Sequence, residues 1–121
     1  MFTLTIYHNP QCSKSRAALK FLEENKEKHN YQIEIVLYKK QPLDREQLEM
    51  LVEYLGLSDA NFGRLLRPDA QKQVHSLKEA IDFIVSDPQQ LERPFVVDKQ
   101  HKKAALGRPD LGDVQLLVEN L

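Results

Sequence analysis

The 121 residues contain a single cysteine, Cys12. That excludes an internal disulfide and any zinc site built from several cysteines. No apolar stretch approaches the ~20 residues needed to span a bilayer. No basic segment precedes the apolar residues at the N-terminus, so no signal peptide is expected, and the expected location is cytoplasmic. Neither sign of charge dominates. Seventeen Lys and Arg stand against eighteen Asp and Glu, for a net charge of −1. A nucleic-acid binder working through a basic surface is therefore not expected, and neither is a membrane partner. Repeats, linkers and low-complexity segments are also lacking. What remains is a composition that is 41 % hydrophobic and 29 % charged, ordinary for a globular protein. The length suits one domain, 1–121, large enough to form its own core.

The pattern along the chain is mixed. Phe2 to Tyr7 reads as a strand, with Phe2, Leu4 and Ile6 on one face. His8-Asn9-Pro10-Gln11 is a turn. From Ser13 the spacing becomes helical, with Ala17, Ala18, Phe21 and Leu22 as the apolar face. Gln32 to Tyr38 is a second strand. Its nearly continuous run Ile33, Ile35, Val36, Leu37 predicts parallel pairing with both faces covered. These pieces make a βαβ unit.

Asp44 and Gln47 resemble a capping box ahead of Leu48, Leu51, Val52 and Leu55, and Gly56 is a helix stop. Asn61 to Leu66 predicts a short helical turn. Ser76 and Glu79 form a second capping-box pattern before Leu77, Ala80, Ile81 and Ile84, and Asp87-Pro88 ends that helix. Phe95 to Val97 and Lys103 to Leu106 read as a hairpin joined by Asp98 to Lys102. A terminal helix follows over Asp113 to Leu121, with Val114, Leu117, Val118 and Leu121 inward. The order β-α-β, helices, β-β-α predicts a single α/β domain.

Cys12 falls between a strand and a helix. Unpaired N–H groups and the helix dipole favour negative charge at a helix start. A thiol there can titrate at about 3.5–7.5 instead of about 8.5, and the thiolate is the nucleophile. Lys14 and Arg16 add positive potential in the first turn, and His8 can approach across the turn. A lone cysteine is often a small core residue, but Asn9, Pro10, Gln11, Ser13 and Lys14 are polar or turn-forming flanks that argue for an accessible loop. Two chemistries are excluded by spacing. A phosphatase-type loop needs an arginine where Ala18 stands, and a dithiol motif needs a second cysteine where Ser15 stands. Redox work by Cys12 therefore needs a thiol from another molecule, with glutathione the default.

Six arginines and six prolines placed at random would form about 0.3 Arg-Pro pairs. There are three: Arg67-Pro68, Arg93-Pro94 and Arg108-Pro109. A residue before proline is held in extended conformation, so each arginine starts from a restricted backbone at an element boundary. Three guanidinium groups around one site suit a tetrahedral oxyanion. Loop arginines are also commonly plain surface residues. Arg64 competes with Arg67 for the role, and spacing does not choose between them.

The run Ile6-Tyr7-His8-Asn9-Pro10-Gln11-Cys12-Ser13-Lys14-Ser15-Arg16 closely resembles the signature of the glutaredoxin-coupled arsenate reductase family. The similarity continues through Leu65-Leu66-Arg67, Glu92-Arg93-Pro94-Phe95-Val96-Val97 and Gly107-Arg108-Pro109. It implies a thioredoxin/glutaredoxin-like βαβ…ββα fold with a helical insertion between the halves. It implies an enzyme, an arsenate reductase, in which Cys12 attacks arsenate, with His8 and Ser15 near the thiolate. Arg67, Arg93 and Arg108 fall on the family's oxyanion-binding arginines, which selects Arg67 over Arg64. Pro94 falls on the typical cis-proline. The resemblance further implies glutathione as co-substrate, glutaredoxin as reductant, no bound cofactor and no metal. A monomer is compatible with the charge balance.

The best-characterised members carry Gly-Thr after the cysteine and a longer C-terminal tail. This chain has Ser13-Lys14, as do short members of the family, and stops soon after its last helical pattern. Two alternatives stand beside arsenate reduction. One is a thiol oxidoreductase acting on another oxyanion or on a glutathione adduct. The other is a redox-responsive regulator that binds RNA polymerase, although such regulators typically switch through a cysteine pair.

Overall fold

A computed structural model describes residues 2–121. The elements are β1 (Phe2–His8), α1 (Ser13–His29), β2 (Tyr31–Leu37), α2 (Arg45–Leu55), a 3-10 turn (Phe62–Leu65), α3 (Pro68–Gln71), α4 (Leu77–Ser86), a second 3-10 turn (Pro88–Gln90), β3 (Phe95–Asp98), β4 (Lys103–Leu106) and α5 (Gly112–Glu119). They form two compact units. Among the described residues, one comprises 2–37 and 93–121, and the other is the inserted segment 38–92.

The first unit is a four-stranded sheet in the order β2-β1-β3-β4. β1 and β2 run parallel through the α1 crossover, while β1/β3 and β3/β4 are antiparallel. This is the thioredoxin-like βαβ…ββα arrangement. Alternation along the strands sorts the sheet into two faces. Leu4, Ile6, Tyr31, Val96 and Ala105 pack with Ala18 and Leu22 of α1 and with Val114, Leu117 and Val118 of α5. The Tyr31 hydroxyl donates to the Leu22 carbonyl at 2.5 Å, giving the polar end of this buried ring a partner. Burial pushes its pKa up to about 12. Thr5, Tyr7, Phe95, Val97 and Leu106 occupy the opposite face and are also buried.

Two details of the sequence reading change. β2 pairs in parallel as expected but is not covered on both faces. It is the sheet's edge, and Ile35 is 45 % exposed. An unbroken apolar run does not distinguish an edge from a central strand. On α1, Ala17 is exposed, and the buried stripe is Ser15, Ala18 and Leu22. Asn30 ends α1 in the left-handed region, φ 57°, which asparagine tolerates.

In the inserted unit, Asp44 and Gln47 make the reciprocal capping box of α2, and Gly56 closes that helix at φ 68°. Ser76 caps α4 by accepting from the Glu79 N–H at 3.1 Å. The second half of that box differs, because the Glu79 carboxylate takes the Ser76 hydroxyl instead of the backbone N–H. The 3-10 turn lies where a helical turn was expected. The sequence reading missed α3, which uses Pro68 at its first position, where a proline costs no hydrogen bond. An antiparallel bridge, Leu66 to Leu91, joins the segment before Arg67 to the segment ending at Glu92.

Among the described residues, no helix is long and apolar enough to cross a membrane.

Candidate active site

The loop between β1 and α1 is organised by Asn9, which is buried. Its side-chain oxygen accepts from the Gln11 N–H at 3.0 Å, the turn geometry that asparagine favours. Its carbonyl accepts from the Cys12 N–H at 3.0 Å, and its own N–H donates to Ser15 Oγ at 3.0 Å. Cys12 is thereby the N-cap residue of α1, with φ −98° and ψ 123°. Its carbonyl accepts the first helical bond, from the Arg16 N–H at 3.0 Å.

The Cys12 thiol makes no capping hydrogen bond of standard geometry, yet its titration is displaced downward. Burial pushes it up. The N–H groups of Ser15 and Lys14, together with the hydrogen bond and charge of Arg108, outweigh that and favour the thiolate. Arg108 Nη2 lies 3.2 Å from Cys12 Sγ. Arg108 Nε donates to the Arg93 carbonyl at 2.6 Å, so the backbone before β3 anchors the guanidinium that meets the sulfur.

His8 and Ser15 form a buried pair, His8 Nδ1 to Ser15 Oγ at 2.6 Å. The His8 pKa is lowered, first by burial and then by the charge of Arg16. The ring is thus held toward its neutral form, with Nδ1 and Ser15 Oγ sharing one hydrogen bond while Ser15 Oγ also accepts from the Asn9 N–H. The hydrogen bond of His8 goes to Ser15, not to the sulfur. Its connection to Cys12 runs through Ser15, whose backbone N–H favours the thiolate.

Both prolines beside the arginines of this unit follow cis peptide bonds, Arg93-Pro94 and Arg108-Pro109. The second was not anticipated. Gly107 donates its N–H to the Pro94 carbonyl at 2.9 Å. A Cβ at Gly107 would lie 2.7 Å from Pro94 Cγ, so the close approach of these two segments requires glycine.

Arg67 belongs to the inserted unit. Its Nη1 donates to Glu92 Oε1 at 2.6 Å, and its N–H donates to the Gln90 carbonyl at 2.9 Å. Arg64 is exposed. Sequence reasoning missed three features: the buried hub at Asn9, the Arg67–Glu92 pair and a bond from Lys14 Nζ to the Pro109 carbonyl at 2.9 Å. The Asn-Pro turn signal could have revealed the first. The other two depend on long-range pairing. Among the described residues, no three His, Cys, Asp or Glu side chains are grouped to hold a metal ion.

Fold and site together define a thioredoxin-like protein with a thiolate-favouring cysteine at a helix start, facing an arginine from the loop after β4. The chain belongs to the ArsC family, whose sequence model matches residues 7–111. It is 39 % identical over 110 residues to a protein of Escherichia coli K12 named as uncharacterized protein YfgD, covering 86 % of this chain and 87 % of that one. It is 37 % identical over 112 residues to an arsenate reductase of Neisseria meningitidis serogroup A, covering 88 % and 91 %. An arsenate reductase structure from Vibrio cholerae superposes with a TM-score of 0.76 at 27 % identity, over 94 % of this chain and 97 % of that one.

Proposed function

We propose that this protein is an arsenate reductase that draws its electrons from glutathione and glutaredoxin, with residues 1–121 acting as one domain. The observation that carries the reading is the Cys12 sulfur at the start of α1 with Arg108 Nη2 3.2 Å away. An anion that approaches this sulfur meets a cation already in place.

The Cys12 thiolate attacks the arsenic of arsenate, forming an S–As bond, and one arsenate oxygen leaves as water after protonation. The thiol of glutathione then attacks the adduct. Cys12 and glutathione end as a mixed disulfide, the S–As bond is gone, and arsenic departs as arsenite. The two electrons that reduce arsenic come from the two sulfurs. Glutaredoxin reduces the mixed disulfide and restores the Cys12 thiol. A thiol from outside is required because the chain holds no second cysteine.

Arg108 acts twice in this scheme. It lowers the thiol pKa, and its remaining N–H donors are available to arsenate oxygens. Arg93 and, by resemblance, Arg67 are the other oxyanion arginines. His8 and Ser15 hold the helix start. No resident cofactor or metal takes part.

The test is a coupled assay with arsenate, glutathione, glutaredoxin and glutathione reductase, following NADPH loss. Arsenate-dependent turnover that disappears in Cys12→Ser is the expected result. Absent turnover with Cys12 still titrating below an ordinary thiol overturns arsenate as substrate. It would leave a thiol oxidoreductase aimed at another oxyanion or a glutathione adduct.

A further inference from the structure

The first turn of α1 and the loop after β4 meet at two adjacent points. Arg108 Nη2 reaches Cys12 Sγ at 3.2 Å. At the next residue along, the Pro109 carbonyl accepts from Lys14 Nζ at 2.9 Å. The two contacts run in parallel, from residues 12 and 14 on one side to residues 108 and 109 on the other. Lys14 acts on the sulfur through its backbone N–H, while its ammonium is turned to a neutral carbonyl. That use of a lysine positions a loop and does not supply charge to an anion.

We propose that Lys14 is a positioning residue: its bond to Pro109 clasps the loop after β4 onto the start of α1 and so holds the Arg108 guanidinium against Cys12. The proposal rests on the reading of Cys12 as the nucleophile. Arg108 has an independent anchor at the Arg93 carbonyl, so loss of the clasp loosens the guanidinium without releasing it. Besides Cys12, the charged and titratable groups at this end of the elements are His8 at the end of β1, Lys14 and Arg16 in the first turn of α1, Arg93 just before β3, and Arg108 and Asp110 after β4.

The experiment is the rate of Cys12 alkylation by iodoacetamide against pH, which requires no knowledge of the substrate. It compares the native protein with Lys14→Met, Lys14→Arg, Arg108→Met and the double variant Lys14→Met/Arg108→Met. Circular dichroism verifies that each is folded, and Lys14→Gln replaces Lys14→Met if that variant is not.

Lys14→Met should move the alkylation midpoint upward, slowing reaction below the midpoint by about threefold. Lys14→Arg should restore most of the rate. In the Arg108→Met background, Lys14→Met should add nothing, because Lys14 acts through Arg108. An unchanged profile in Lys14→Met overturns the proposal. So does an effect of equal size with and without Arg108, which would mark Lys14 as a direct charge on the sulfur. The coupled arsenate assay on the native protein separates the two readings. If it shows no turnover, arsenate is lost as substrate, while the alkylation series still decides the clasp.

Discussion

Arg108 stands 96 positions from Cys12 in the chain, yet its Nη2 lies 3.2 Å from the Cys12 sulfur. The register of β1, β3 and β4 makes this possible. β3 pairs with both β1 and β4, so the loop after β4 returns to the end of the sheet where β1 hands over to α1. A nucleophile from the first strand–helix junction thus meets a cation from the last hairpin.

Arg108→Met should raise the Cys12 pKa, because it removes both a hydrogen bond and a charge that favour the thiolate. Alkylation at neutral pH should slow by about tenfold, because a smaller fraction of the sulfur is then thiolate. The same linkage appears in stability. The folded pKa lies below the ordinary 9.0, so the folded state gains stability as pH rises from the lowered value toward 9.0. That gain is complete above 9.0 and is lost as pH falls through the folded value. Urea midpoints measured across this window should rise with pH in the native protein, with a smaller slope in Cys12→Ser.

Ser15→Ala should destabilise the protein by about 1–3 kcal/mol, the usual cost of stranding buried polar groups. Ser15 is fully buried and serves both the Asn9 N–H and His8 Nδ1. Urea denaturation at constant pH measures the cost.

His8 is held toward its neutral form, with its pKa below the ordinary 6.5. Its contribution to stability is therefore present above pH 6.5 and is lost as pH falls through the lowered folded value. His8→Asn should flatten the stability profile in that acid range. Thermal melts at a series of pH values test this, and the His8 imidazole titration followed by NMR should begin below that of a surface histidine.

Gly107→Ala should destabilise by about 1–3 kcal/mol, because the added methyl must displace the Pro94 ring or shift the backbone. The contact it would make is 2.7 Å to Pro94 Cγ. Alkylation should slow in the same variant, because Gly107 directly precedes Arg108. A melt and an alkylation rate on one sample check both.

Arg67→Ala should cost stability as well as any oxyanion contact. Glu92 is 9 % exposed at its side chain and pairs with Arg67, which is 30 % exposed. Removing the cation leaves a buried carboxylate with a partner lost, at a cost of roughly 2–3 kcal/mol, less than the ~3–5 of a fully buried pair. Arg67→Ala/Glu92→Ala should recover a good part of that loss, whereas arsenate turnover should not return. Equal stability in Arg67→Ala and the native protein would show that the pair is energetically idle.

Much of the fold was legible from short-range signals. Asp44 with Gln47 and the stop at Gly56 bounded α2 because caps act over three or four residues. The hairpin from Phe95 to Leu106 followed from two short apolar runs and a polar turn. The expected full cover of β2 proved incorrect because Ile33, Ile35 and Val36 specify a strand but not its place in the sheet. The reading of Ala17 as buried failed because alanine carries almost no information about helix face. At the site, the turn and helix start around Cys12 were legible. The Arg67–Glu92 pair was not, because it arises where the Leu66 and Leu91 segments come together across a long stretch of chain.

The sequence by itself determined the chemistry on offer: one thiol, placed where a strand gives way to a helix, and three arginines each restrained by a following proline. Capping, periodicity and proline sterics act over a few residues, so they can be read in one dimension. Tertiary structure alone decided which cation meets the sulfur, that His8 bonds to Ser15 instead of the thiol, and that Lys14 reaches Pro109. The contacts of Arg108 and Pro109 depend on strand order and register, which bring residues nearly a hundred positions apart within hydrogen-bond distance, while the His8–Ser15 bond depends on how the β1–α1 turn folds back over seven positions.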